Sequence, residues 1–170
     1  MNITIEQPSN TIIYVENVYE GTLADNVRQM VESISWADWM QQWLLYLSPT
    51  TELANNCEVS VRLTSDRQIQ TFNRQYRFLD QPTDVLAFAA IEADLIIPAE
   101  LTEPLYLGDI IISLDTAVKQ ATEQNHSLVV ELAWLASHGL LHLLGWDHPD
   151  DASLQQMLDR QSTLIQLLNL

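Results

Sequence analysis

A chain of 170 residues is long enough for one domain with a real core and too short for two comfortable ones. Apolar residues make up 47% of it, which excludes a disordered chain, and no apolar run reaches the length of a membrane span. A formal net charge of -16 excludes a protein that coats nucleic acid nonspecifically, because its field repels phosphate. The distribution leaves one opening. Only seven residues are Lys or Arg, and Arg62, Arg67, Arg74 and Arg77 crowd into one stretch, so a local positive site on an acidic body remains available. The start, Met1 to Glu6, has neither the basic segment nor the apolar run of a signal peptide. The single cysteine, Cys57, allows no internal disulfide and reads as a buried thiol, a usage that fits a cytoplasmic protein.

In chain order, Ile3 and Ile5 alternate with polar neighbours and predict a short strand. Ile12 to Val15 either extend a strand or belong to a surface excursion, and Gly21 marks a break. Ser35 is placed to cap a helix, with Asp38 three residues on. Trp36, Trp39, Met40, Trp43, Leu44 and Leu47 then fall at helical spacing and read as core. Cys57 to Leu63 alternates strictly and predicts a half-buried strand. Ser65 or Asp66 caps a short helix through about Arg74. A turn at Asp80-Gln81-Pro82 leads into a strand from Val85 to Ala89. Arg77, just before that turn, either grips phosphate with its planar fork or pairs with Asp80 or Asp84, and spacing alone slightly favours the ion pair.

Residues 91–106 read as an acidic, proline-rich loop, and Leu107 to Ser113 as a strand buried on both faces. Asp109 either orients an imidazole or accepts a hydrogen bond at the strand end. Ser113 or Asp115 caps a helix through about Gln124, and His126 reads as an exposed loop residue. Residues 128–144 are apolar nearly all round, so this helix belongs in the centre of the domain. Glu131 lies seven residues before His138, on roughly the same face, or is simply a first-turn acid favoured by the helix dipole. Asp150 or Asp151 starts a last helix, whose stripe of Leu154, Met157, Leu158, Leu164, Ile165 and Leu168 packs rather than catalyses.

Three of the four histidines fall between His138 and His148. His138 and His142 are one turn apart on one helix face. Two such histidines alone read best as packed core. Gly145 changes the balance, because it suits the left-handed conformation that ends a helix and lets His148 return toward the pair. Three neutral imidazoles converging in this way make an open zinc site, with the fourth position left to water or substrate, and the same donors accept nickel or copper. The spacing matches the three-histidine metzincin pattern, except that Gly139 stands where those proteases carry their glutamate base. Gly139 therefore weighs against a peptidase: the site does other metal-assisted chemistry, or its base comes from elsewhere, with Asp109 and Asp147 as candidates.

These residues resemble the YbeY-type endoribonucleases, the ribosomal-RNA maturation factors. The resemblance rests on the His138 to His148 block, on Asn73 to Phe88 with its Tyr76-Arg77 and Pro82-Thr83-Asp84-Val85-Leu86 elements, and on Gly108 to Ser113. It spans about positions 57 to 165, and the first third matches only loosely. It implies a single α/β domain over residues 1–170, with a small mixed, mostly parallel sheet covered by helices, and with residues 1–32 as a variable N-terminal extension or insertion. It implies one zinc held by His138, His142 and His148, with Arg77 beside the metal. The activity it implies is cleavage of single-stranded RNA in maturation of small-subunit ribosomal RNA and in ribosome quality control. The partners implied are ribosomal RNA and the small ribosomal subunit. The acidic charge points to a basic ribosomal protein as a helper. Two alternatives stay open: a ribosome-assembly factor whose metal is structural, and a metal-dependent hydrolase of another substrate. Oligomeric state is left undetermined by the sequence.

Overall fold

The computed structural model describes residues 10–48, 52–90 and 102–170, so the strand expected at Ile3 and Ile5 and most of the acidic loop lie outside the described residues. Alternating, β-branched stretches form one four-stranded sheet from β1 (Ile12–Asn17), β2 (Cys57–Thr64), β3 (Val85–Ala89) and β4 (Leu105–Ser113). The spatial order is β1-β2-β4-β3; β1 and β2 run parallel, as do β2 and β4, while β3 is an antiparallel edge strand. Around it lie α1 (Asp25–Glu32), α2 (Trp36–Leu47), α3 (Asp66–Arg77), α4 (Leu114–Glu123), α5 (Leu128–Leu143) and α6 (Asp151–Leu167). This is the mixed, mostly parallel α/β architecture expected from the sequence.

Side-chain oxygens start most of the long helices. Ser65 forms a capping box with Gln68, Asp150 forms one with Ser153, and Ser113 and Ser127 accept from the backbone of α4 and α5. Ser35 occupies the cap position of α2, but its hydroxyl donates to the Asp38 carboxylate and leaves the helix backbone uncapped. The two sheet faces are filled differently. Val59, Val61, Ile110 and Ile112 join Trp43, Leu132, Leu140, Met157 and Leu164 in the main core. On the opposite face Ile111 and Leu86 pack with Ile69 of α3, flanked by Phe72 and Phe88. Each fully buried aliphatic chain contributes about 1.5–3 kcal/mol, several times a residue's helix propensity, so packing rather than propensity fixes where α3 and α5 lie.

Residues 12–32 are part of the domain rather than a surface excursion. Ile12 to Asn17 pair in register with Glu58 to Leu63, and the Tyr19 hydroxyl donates to Asp115 Oδ1 at 2.6 Å. Two boundaries also move: α3 continues to Arg77, and β4 begins at Leu105. The basic stretch divides, because Arg62 on β2 pairs with Glu16 on β1 at 2.8 Å, leaving Arg67, Arg74 and Arg77 on α3. Cys57 is buried, and that burial pushes its thiol up to about 11, so it stays protonated and inert. Among the described residues no helix is long and apolar enough to cross a membrane.

Candidate metal centre

Two of the three clustered histidines are delivered by the most enclosed helix of the fold. Leu132, Ala133, Ala136, Leu140 and Leu141 of α5 are all fully buried, and His138 and His142 sit on its remaining side near the C-terminal end. The helix ends in a Schellman motif: Trp146 N–H donates to Leu141 O and Gly145 N–H to His142 O, each at 3.0 Å. Gly145 adopts φ 88°, the left-handed conformation its position requires. The chain then turns back, and Asp147 Oδ1 accepts the His148 N–H at 2.8 Å. Trp146 is held from the other side, its ring 5.5 Å from the Arg160 guanidinium, which also faces Tyr46 at 5.6 Å.

The result is a three-imidazole cluster. One nitrogen from each of His138, His142 and His148 lies within 4.8 Å of the others, and the Nε2 atoms of His138 and His142 are 3.0 Å apart. Burial lowers the pKa of both His138 and His142 below the ordinary 6.5. The neutral imidazole is the form that binds a metal.

Gln161, buried on α6 with 0% exposure, decides which nitrogen of His138 is free. Its amide nitrogen donates to Trp134 O at 3.2 Å, and a carbonyl can only accept. The amide oxygen therefore faces His138 Nδ1, also at 3.2 Å, so Nδ1 carries the proton and Nε2 presents its lone pair to the cluster. Three convergent nitrogens, two of them held neutral and one fixed in tautomer, suit a divalent ion of the zinc type. Gln161 is invisible to a motif search, yet it leaves a sequence signal: it is the one polar residue in the Met157, Gln161, Leu164, Leu168 row of an otherwise apolar stripe.

A cleft of about 490 Å³ opens beside the cluster, lined by Arg77, Val85, Ala87, Gly139, Asp147 and the three histidines. Arg77 reaches it from the far side of the sheet, past the edge strand β3, where its guanidinium donates to Ala87 O at 3.3 Å. Among the described residues it forms no ion pair with Asp80 or Asp84. Asp80 Oδ1 accepts from Gln70 instead, and Asp84 accepts from Val85 N–H and Gln120. The structure thus brings Arg77 and Asp147 together with the histidines, and it does not bring Asp109. Asp109 pairs across the ladder with Phe88, on the α3 face of the sheet, while its neighbour Ile110 faces α5. Its carboxylate bonds the Tyr106 hydroxyl, helping to raise that phenol to about 12 after burial. Glu131 is buried and pairs with His126, away from the cluster.

Gly139 has a packing explanation. A Cβ there would sit 2.7 Å from Ile110 Cγ2, in the core of the sheet. The position that carries a general base in zinc proteases is here a point of close approach between helix and sheet.

A family model described as endoribonuclease YbeY matches residues 23–169. A protein of Trichormus variabilis named endoribonuclease YbeY is 54% identical over 140 residues, covering 82% of this chain and 80% of that protein. One of the same name from Synechocystis sp. is 55% identical over 135 residues, covering 78% and 75%. The solution structure of a Thermotoga maritima protein superposes with a TM-score of 0.54 at 24% identity, covering 91% of this chain and 87% of that one, a likeness of fold.

Proposed function

The chain belongs to the YbeY endoribonuclease family, and from that premise we propose that it is a metal-dependent, single-strand-specific endoribonuclease hydrolysing RNA phosphodiesters at His138, His142 and His148. The observation that carries the reading is the convergence of three imidazoles with one anchored guanidinium in a single open cleft. Zinc is the ion that best suits the donors, with nickel or another divalent ion as a substitute. A divalent ion bound there supplies Lewis acidity toward a phosphoryl oxygen and lowers the pKa of water.

The remaining work falls to the protein. Arg77, with one nitrogen tied to Ala87 O, keeps its other donors for a phosphate and stabilises charge as it develops there. Asp147 uses Oδ1 to hold the His148 backbone, and its second oxygen is available to take a proton from the nucleophile. The nucleophile is either water or the RNA's own 2′-hydroxyl; a 2′,3′-cyclic phosphate end identifies the second route. In the cell this activity would serve ribosomal-RNA maturation and ribosome quality control in the cytoplasm, on the small subunit. A basic ribosomal protein would offset the charge of -16. The family-type domain is taken to span residues 1–170.

The test is cleavage of a single-stranded RNA by wild type, His142→Ala and Arg77→Ala, with folding and metal content measured on each. Loss of cleavage in both folded variants is the expected result. Equal cleavage by all three would sink the nuclease reading and favour an assembly factor with a structural metal.

A further inference from the structure

Phe78 is placed as no core residue is. It is 89% exposed, and it caps α3 in the left-handed region at φ 61°. A bulky residue there carries both strain and exposed apolar surface, and a glycine would carry neither. The turn is nonetheless held firmly. Asn73, itself buried, donates through Nδ2 to Gln81 O at 2.8 Å, and Gln70 Nε2 donates to Asp80 Oδ1 at 3.0 Å. A fixed turn therefore presents an unshielded phenyl ring to solvent.

Its surroundings indicate what covers it. The preceding residue is Arg77, which lines the histidine cleft, and Arg74 lies one turn back in the same helix end. Tyr76, 52% exposed, stacks on Phe72 and meets Phe88 edge-on at 5.1 Å. Of the cations outside α3, Arg62 pairs with Glu16, Lys119 with Glu123 and Arg160 faces two aromatic rings, while Arg28 lies apart on α1. On a chain of net charge -16, the end of α3 is where guanidiniums and an open aromatic face coincide. That combination suits a single-stranded nucleic acid, whose phosphates meet the arginines and whose unpaired bases offer free faces for stacking.

We propose that Phe78 is a stacking platform for an unpaired base of the RNA, adjacent to the phosphate held by Arg77. This rests on the endoribonuclease reading and supplies it with a physical source of strand preference. A base inside a duplex is already stacked on both faces and cannot use the ring.

The experiment measures binding of a short, labelled 2′-O-methyl single-stranded RNA to the metal-loaded full chain, by fluorescence anisotropy at fixed salt. Wild type is compared with Phe78→Gly and Phe78→Trp, and thermal melting is recorded for each. Phe78→Gly should melt no lower than wild type, since it relieves the left-handed strain, yet bind about tenfold more weakly. Phe78→Trp should keep the affinity. A series of oligomers with one abasic position each should contain one member for which Phe78→Gly makes no difference. Unchanged affinity in Phe78→Gly overturns the proposal, as does an equal loss on duplex RNA. A loss of self-association with RNA binding intact would also overturn it, assigning the ring to a protein contact. A wild type that binds and shows the Phe78 effect but does not cleave unmodified RNA contradicts the nuclease reading alone. A wild type that binds no single-stranded RNA contradicts both.

Discussion

Replacing Gln161 by leucine separates what this residue does for folding from what it does for a metal. The side chain makes two hydrogen bonds, each at 3.2 Å, to Trp134 O and to His138 Nδ1. Trp134 O loses little, because Ser137 Oγ still donates to it at 2.9 Å. His138 Nδ1–H is left without an acceptor, a loss worth about 1–3 kcal/mol for a buried donor. The imidazole has an escape: its proton can move to Nε2 and point at His142 Nε2, 3.0 Å away. In the metal-free protein the tautomer shift recovers much of the cost, so the melting temperature should fall only slightly. The nitrogen facing the cluster then carries a proton, and binding must reverse the shift. The penalty therefore appears in metal affinity, at about 10- to 100-fold. Chelator competition with zinc measures that affinity, and the 15N shifts of the His138 ring report the tautomer. Gln161→Glu keeps an acceptor for Nδ1–H and gives up the donor to Trp134 O, so it should bind metal nearly as wild type while folding less stably. If Gln161→Leu binds zinc as tightly as wild type, with the proton still on Nδ1, the glutamine only packs and the reasoning is refuted.

Gly139→Ala should lower stability by about 1–2 kcal/mol, because overpacking against Ile110, at about 2–3 kcal/mol for a contact this short, outweighs the roughly 1 kcal/mol gained in helix propensity; an unchanged or raised urea midpoint would contradict this. Metal-free protein should lose stability as the pH falls below 6.5. His138 and His142 are held below that value by burial, so the unfolded chain takes up protons first and the contribution is present above 6.5 and lost beneath it. Urea midpoints recorded from about pH 7.5 down to 5.5 should show the slope, and a His138→Gln, His142→Asn double variant should flatten it. Arg77→Lys should recover only part of the activity lost in Arg77→Ala, since an ammonium cannot hold Ala87 O and clamp a phosphate with a planar fork at the same time. Full recovery in steady-state cleavage would count against the anchored-fork role.

What the sequence made legible is local chemistry. Helix caps at Ser65, Ser113 and Asp150, the glycine ending at Gly145 and the strand alternation after Cys57 are all written within a few residues of where they act. The unread parts are set by distance. Spacing offered Arg77 two nearby carboxylates, whereas the fold routes it past an edge strand to a carbonyl and a cleft. Asp109 fails to reach the histidines through strand parity, because the face it shares with Phe88 is the one turned toward α3. Gln161 is a second instance: a lone amide in an apolar stripe means nothing until its helix is docked against α5. The short stretch at Ile12 to Val15 was ambiguous because an edge strand is recognisable only through the partner it pairs with, here β2.

The histidines are fixed to parts of the molecule that open on different clocks. His138 and His142 belong to α5, whose enclosed amides should exchange with solvent only when the whole domain unfolds. His148 belongs to the connection into α6, which is tied back by the Gly145 and Trp146 N–H bonds to α5 and by Trp146 against Arg160, and such a segment should open locally and more often than the core. An ion bridging the two would thus be released at the rate of the loop, not of the core. The Trp146–Arg160 contact becomes a latch on residence time, able to alter how long a metal stays without altering any of the atoms that hold it.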